Sequence, residues 1–220
     1  MLLTNLKICG ITSREAACLC AEAGVGALGA VFFRKSPRYV TPQQARTLFD
    51  GLPSHMARVG VFVDMPAEEM IAIAREAALD TVQMHGNEPP DAISLVQQAG
   101  FRVIEVVKAK GQDLLESAAA IPSSCGILVE CGHGSLPGGN GAAWRWEEAA
   151  PLAMVRPFAI AGGLTPKNFN EAAHLSKATA WDLSSGVESA PGIKDPCALK
   201  TLFALAQQLT VPPSAPFWKG

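Results

Sequence analysis

No two cysteines stand in C-x-x-C spacing. The six, Cys9, Cys18, Cys20, Cys125, Cys131 and Cys197, are scattered, so a zinc site or a dithiol redox pair has no support. Cys18 and Cys20 fall two apart on an expected helix and face different ways; apart from Cys9, the thiols read as free and structural. The chain has almost no net charge, −2, and no basic stripe, which denies nucleic acid an electrostatic footing. It has no transmembrane run, and Met1 to Lys7 lacks the charged start, long apolar centre and small-residue cleavage site of a secretory signal. A cytoplasmic location is the expectation. No glycine-rich dinucleotide fingerprint follows the first expected strand, where Cys9-Gly10-Ile11-Thr12 stands instead. No cluster has metal-ligand spacing, so no metal is expected.

What is present is a regular alternation. The 220 residues are 49% apolar, enough to fill the core of one domain. Short apolar runs read as strands at 6–11, 27–33, 58–63, 80–84, 101–108, 126–131, 158–161 and 178–183. Amphipathic segments between them read as helices. Ser13 caps the first, Thr41-Pro42 opens the second, Thr165-Pro166 opens the one after the seventh strand, and Pro196 starts the last. A short helix is expected from Trp146 to Met154. Eight strand–helix units with no consecutive strands imply a parallel sheet, closed as a (β/α)8 TIM barrel within a single α/β domain over 1–210. A doubly wound open sheet is the alternative. Residues 211–220 form a tail with three prolines, expected at the surface.

In a barrel the C-terminal ends of the strands converge on one mouth. That gathers Cys9, Phe33 to Arg38, Asp64, His85, Lys108, Glu130, Gly162 and Ser184. The last two strands both end in small, donor-rich loops, Gly162-Gly163 and Ser184-Ser185-Gly186. Bare backbone N–H groups and two hydroxyls there suit a phosphate, and the loops after strands seven and eight are where a barrel carries one.

The chain resembles the phosphoribosylanthranilate isomerases of tryptophan biosynthesis. The resemblance rests on Lys7-Ile8-Cys9-Gly10-Ile11-Thr12; Phe33 with Lys35-Ser36-Pro37-Arg38-Tyr39-Val40; Val59-Gly60-Val61-Phe62-Val63; and Val82-Gln83-Met84-His85-Gly86-Asn87-Glu88. It continues through Gly138-Gly139-Asn140-Gly141 with Trp146, Ala161-Gly162-Gly163-Leu164 with Pro166 and Asn168, and Asp182 to Asp195. Each match is weak alone; the ordered set is specific. It implies an Amadori rearrangement of N-(5-phosphoribosyl)anthranilate to 1-(2-carboxyphenylamino)-1-deoxyribulose 5-phosphate. That needs an acid at the ring oxygen, a base at C2′ and no cofactor, because the protonated imine is its own electron sink. The resemblance makes Cys9 the base, gives Arg38 the anthranilate carboxylate, and puts His85 and Asp182 around the substrate. Gly162, Gly163, Ser184, Ser185 and Gly186 would hold the phosphate, and Gly138, Gly139 and Gly141 would form a lid. The only partner implied is the phosphorylated aminosugar itself, and a monomer and a homodimer both fit.

The departures cluster around the acid. The family ends its sixth strand with aspartate; this chain has Glu130, one methylene longer. The loop after it differs as well, with Asn140, Ala142, Trp144 and Arg145, and an added titratable His133. Three readings compete: a site re-tuned around glutamate, a related aminosugar substrate, or a sugar-phosphate-binding barrel with a regulatory role and no turnover. Cys9 argues against the last, since a pure binder has no need of a base there.

Overall fold

The first apolar run, Leu6–Ile8 (β1), pairs in parallel on both sides, with Ala27–Val31 (β2) and with Ala180–Leu183 (β8). A first strand that also pairs with the last requires a closed sheet. In this computed structural model, which describes residues 3–109, 114–131, 144–209 and 216–218, the circle is completed by Ala57–Phe62 (β3), Thr81–Met84 (β4), Arg102–Ala109 (β5), Gly126–Cys131 (β6) and Ala159–Ile160 (β7). Each pairs with the next in sequence to make an eight-stranded barrel. The (β/α)8 expectation holds, and the open sheet is ruled out.

Helices lie between the strands: Arg14–Ala23 (α1), Pro42–Phe49 (α2), Ala67–Glu76 (α3), Pro90–Gln98 (α4), Leu114–Ala119 (α5), Phe169–Ser176 (α6) and Pro196–Gln208 (α7). Their starts follow local chemistry. Ser13 accepts the Ala16 amide, Thr41 and Gln44 form a reciprocal capping box, and Asp195 accepts the amides of Cys197 and Ala198. The short helix expected over Trp146–Met154 is present, as a 3-10 helix. Pro151 inside it removes a donor that an α-helical ladder would need. The helix after β7 begins later than expected: Thr165 and Pro166 lead a turn, and α6 starts at Phe169. Between β8 and α7 a hairpin that the sequence reading passed over is built from Glu188–Ala190 (β9) and Ile193–Lys194 (β10).

Strand alternation sorts the core into two shells. Outward residues such as Leu6, Ile8, Leu28, Phe62 and Ile127 pack against the helices. Inward ones fill the barrel, with Ala27, Ala57, Ala159 and Ala180 at its N-terminal end and Cys9, Val31 and Val61 at its mouth. The tail does not lie wholly at the surface: Trp218 is fully buried among those alanines. Among the described residues no helix is long and apolar enough to cross a membrane.

Candidate active site

Parity along the strands decides which side chains reach the mouth. Lys7 on β1 and Cys9 just past its end share an inward face, as do Gln83 on β4 and His85 just past its end, and Asp182 takes the inward face of β8. Seventeen residues, with Cys9, Arg38, His85, Glu130, Asp182, Gly162, Gly163, Ser184 and Ser185 among them, line one cavity with about 740 Å³ of empty space, part of it open to solvent. Every catalytic and substrate-binding candidate is thus brought together. Gly186 is not in the lining. A Cβ there would stand 1.8 Å from the Leu164 carbonyl oxygen, so its bareness lets the loops after β7 and β8 pack together. Asp64 and Lys108, expected at the mouth from their strand ends, are also outside the lining. Asp64 instead accepts the Asn87 amide at 2.8 Å and ties the loops after β3 and β4, and Lys108 is exposed. Gly138, Gly139 and Gly141, with His133, Asn140 and Ala142, lie outside the described residues.

Glu130 is buried, and its Oε2 stands 2.5 Å from Nε2 of His85. The other ring nitrogen, Nδ1, meets Nε2 of Gln83 at 3.3 Å. With the Gln83 amide donating, Nδ1 is an acceptor and Nε2–H is the donor to Glu130. Turning the amide over would put Oε1, which has no partner among the described residues, against Nδ1–H. Nε2 would then be free to accept a proton held on Glu130. Gln83 therefore couples its own orientation to the proton on the carboxyl, a residue that only its parity with His85 could have flagged.

Cys9 is buried beside a second ion pair. Lys7 is fully buried and donates to Asp182 Oδ2 at 2.8 Å. Burial works against the Lys7 ammonium, but Asp182 and Cys9 outweigh it and raise its pKa, the direction that a 2.8 Å ionised pair demands. Burial pushes the Cys9 thiol up; Lys7 and Lys194 pull it down without cancelling that, and Asp182 adds to the rise. Cys9 is therefore held mainly as a thiol at neutral pH.

Arg38 does not stand free. Its Nε and Nη2 donate to the two oxygens of Glu188 at 2.8 and 2.7 Å. Lys194 donates to Glu188 at 2.7 Å and to the Ser184 carbonyl at 3.1 Å. Burial disfavours the Glu188 carboxylate, but the hydrogen bonds from Arg38 and Lys194 win and hold its pKa below the usual range. One edge of the guanidinium is thereby committed, which leaves the Nη1/Nη2 edge for a ligand. The hairpin of β9 and β10 supplies both Glu188 and Lys194, residues to which sequence reasoning gave no role.

After β7, Gly162 and Gly163 take positive φ of 86° and 67°. Asn168 fixes their loop, accepting the Thr165 amide at 2.8 Å and donating to the Gly163 carbonyl at 2.9 Å. Ser185 and Gly186 open a 3-10 turn, and no described residue accepts from their amides or from that of Gly163. The Ser184 hydroxyl donates to the Cys9 carbonyl at 3.1 Å, so it joins the phosphate loop to the strand that carries the thiol. Among the described residues no group of three His, Cys, Asp or Glu side chains could hold a metal.

The chain was compared with known proteins. A model of the family described as N-(5'phosphoribosyl)anthranilate (PRA) isomerase matches residues 6–204. The chain is similar to an N-(5'-phosphoribosyl)anthranilate isomerase of Geobacter sulfurreducens, 39% identical over 205 residues that cover 93% of this chain and 99% of the relative. It superposes on a crystal structure of phosphoribosyl anthranilate isomerase from Thermus thermophilus with a TM-score of 0.84 at 38% identity, covering 92% of this chain and 98% of that one. A second such crystal structure, in complex with reduced 1-(o-carboxyphenylamino)-1-deoxyribulose 5-phosphate, matches with a TM-score of 0.83 at 33% identity, covering 95% of this chain and 100% of that one. The chain belongs to the phosphoribosylanthranilate isomerase family.

Proposed function

We propose that this chain catalyses the Amadori rearrangement of N-(5-phosphoribosyl)anthranilate in the tryptophan pathway, with Cys9 as base and Glu130 as acid. The observation that carries the reading is that a thiol just after β1 and a carboxyl on β6 face one cavity, which is rimmed by amides that have no acceptor among the described residues and by a half-committed guanidinium. The phosphate takes the amides of Gly163, Ser185 and Gly186. Arg38, clamped by Glu188, offers its free edge to the anthranilate carboxylate.

Glu130 delivers a proton to the furanose ring oxygen, and the ring opens to a protonated imine. His85, in contact with Glu130, holds the carboxyl in place and can restore its proton. Cys9 then removes the C2′ proton, the electron pair moves into the imine, and the enolamine relaxes to the ketose. Lys7 stabilises the thiolate while Asp182 keeps Lys7 charged. No cofactor enters these steps. A substrate carrying a phosphate and a carboxylate does not cross a bilayer unaided, which favours work in the cytoplasm.

The test is to offer the purified protein fresh phosphoribosylanthranilate in the presence of a chelator and to follow the decay of its fluorescence. Turnover supports the proposal. Tight binding without turnover would make the chain a sugar-phosphate-binding barrel, and a demand for a divalent cation would overturn the phosphate site of bare amides.

A further inference from the structure

The family match ends at residue 204, yet Trp218, fourteen residues further on, is one of the largest fully buried side chains of the chain. It fills the N-terminal end of the barrel. The positions that open β2, β3, β7 and β8 there are alanines, Ala27, Ala57, Ala159 and Ala180, with Ile104 and Leu128 beside them. A barrel interior is usually filled by bulky branched side chains; here the strands leave a hole and the tail fills it. The insertion is held at its neck. The Phe217 amide donates to Asn5 Oδ1 at 3.2 Å, Arg102 donates to the Phe217 carbonyl at 3.1 Å, and the rings of Phe217 and Trp218 meet edge to face at 4.8 Å.

The ring also touches the chemistry from below. The Lys7 ammonium lies 5.8 Å from the Trp218 ring centroid, within cation–π range. On its upper side Lys7 pairs with Asp182 at 2.8 Å. Bare backbone on β2 brings it beside the thiol: a Cβ on Gly29 would stand 2.9 Å from Cys9 Sγ and 3.3 Å from Lys7 Cε. The indole N–H finds no acceptor among the described residues, so the aromatic face, not the N–H, is what Trp218 brings.

We propose that Trp218 is a positioning residue for the isomerase reaction: it closes the barrel beneath Lys7, holds the ammonium against Asp182 and Cys9, and so favours the thiolate form of Cys9. The inference rests on Cys9 being the base. When the barrel loses a proton on the alkaline side, that proton can leave Cys9, giving thiolate and ammonium, or leave Lys7, giving thiol and amine. The negative face of the indole favours the first outcome. The other charged groups around Cys9 and Lys7 are Asp182 on β8, Lys194 on β10, Arg38 after β2 and, through Asp182, Glu130 and His85. Among the described residues Lys7 is the cation over the Trp218 ring, and the effect of Trp218 runs through it.

The experiment uses Trp218→Phe and Trp218→Leu in the full chain. Both leave part of the tryptophan volume empty, so the difference between them reads the ring. Cys9 is titrated by thiolate absorbance, as the difference between each protein and the same protein carrying Cys9→Ala, and the pH dependence of kcat/KM is measured alongside. Trp218→Phe should titrate close to the parent. Trp218→Leu should move the Cys9 midpoint up by about half a pH unit to one unit, and the rise of kcat/KM should move with it. Equal midpoints in all three proteins, with only thermal stability falling, would reduce Trp218 to a core plug and overturn the proposal. Because the thiol titration needs no turnover, the two readings fail separately: a shifted titration with an unshifted kcat/KM profile leaves the coupling of Trp218 to the thiol standing but overturns Cys9 as the base, and with it the positioning role in the reaction.

Discussion

Shortening Glu130 to aspartate restores the residue type usual in the family at the end of β6, and it should slow this enzyme. The Oε2 of Glu130 is 2.5 Å from His85 Nε2. Removing one methylene withdraws the carboxyl by about 1.5 Å, beyond hydrogen-bond range of the imidazole unless the strand moves. A lost hydrogen bond to a charged group is worth roughly 1.5–3 kcal/mol, and a displacement of about 1 Å at a proton donor can cost ~10²-fold in rate. Glu130→Asp is therefore expected to lower kcat by about 10–10²-fold with KM nearly unchanged. Glu130→Gln keeps the length but has no acidic proton, and should lose ~10²–10⁴-fold, the scale of a general acid. The assay is continuous decay of phosphoribosylanthranilate fluorescence at saturating substrate. His85→Asn combined with Glu130→Asp should cost little more than the worse single change, because both break one contact. A Glu130→Asp enzyme faster than the parent would mean that the mouth is not built around the longer arm. A Glu130→Gln enzyme with parental kcat would remove Glu130 from the chemistry.

Three further outcomes follow from the charges. Because burial raises the Cys9 thiol, kcat/KM should keep climbing above neutral pH; a profile flat from pH ~6 to ~9 would contradict a thiol base held mainly protonated. Glu188→Gln unclamps Arg38 and leaves Lys194 without its carboxylate, so KM should rise about tenfold with kcat little changed; a fall in kcat at constant KM would refute the carboxylate-anchoring role of Arg38. Burial pushes Cys20 up to about 12. Folded and unfolded chains alike keep this proton below about pH 8.5, and above it only the unfolded chain releases it. Stability should then fall by up to ~1.4 kcal/mol per pH unit, and Cys20→Ala should flatten the alkaline decline in Tm. An unchanged slope would refute the assignment.

The barrel was legible because its evidence is local. Short apolar runs, spaced by one helix each, leave few topologies, and Ser13, Thr41-Pro42 and Pro196 mark helix starts in a few residues. The expected first two strands ran past their true ends at Ile8 and Val31, since the chain stays apolar after it leaves the ladder to line the mouth. The hairpin of β9 and β10 carried a signal that went unused: Pro191-Gly192, with Gly192 at φ 83°, is a turn dipeptide between two short extended pieces. The catalytic and substrate-binding residues implied by family motifs meet around one cavity, but their partners were not readable. Lys7 finds Asp182 across 175 positions, and Arg38 finds Glu188 across 150. Trp218 was the hardest case. A proline-rich tail has no periodicity, and the hole it fills is made by alanines on four separate strands, a property of the closed barrel and of no segment alone.

In the proposed reaction Sγ of Cys9 is the atom that takes the C2′ proton. The direct measurement is single-turnover conversion of phosphoribosylanthranilate by the parent and by Cys9→Ala, alongside the Kd of each for reduced 1-(o-carboxyphenylamino)-1-deoxyribulose 5-phosphate. The parent should convert the substrate. Cys9→Ala should bind the reduced compound with nearly the same Kd and convert substrate ~10²–10⁴-fold more slowly. Conversion by Cys9→Ala at close to the parental rate would contradict the central claim.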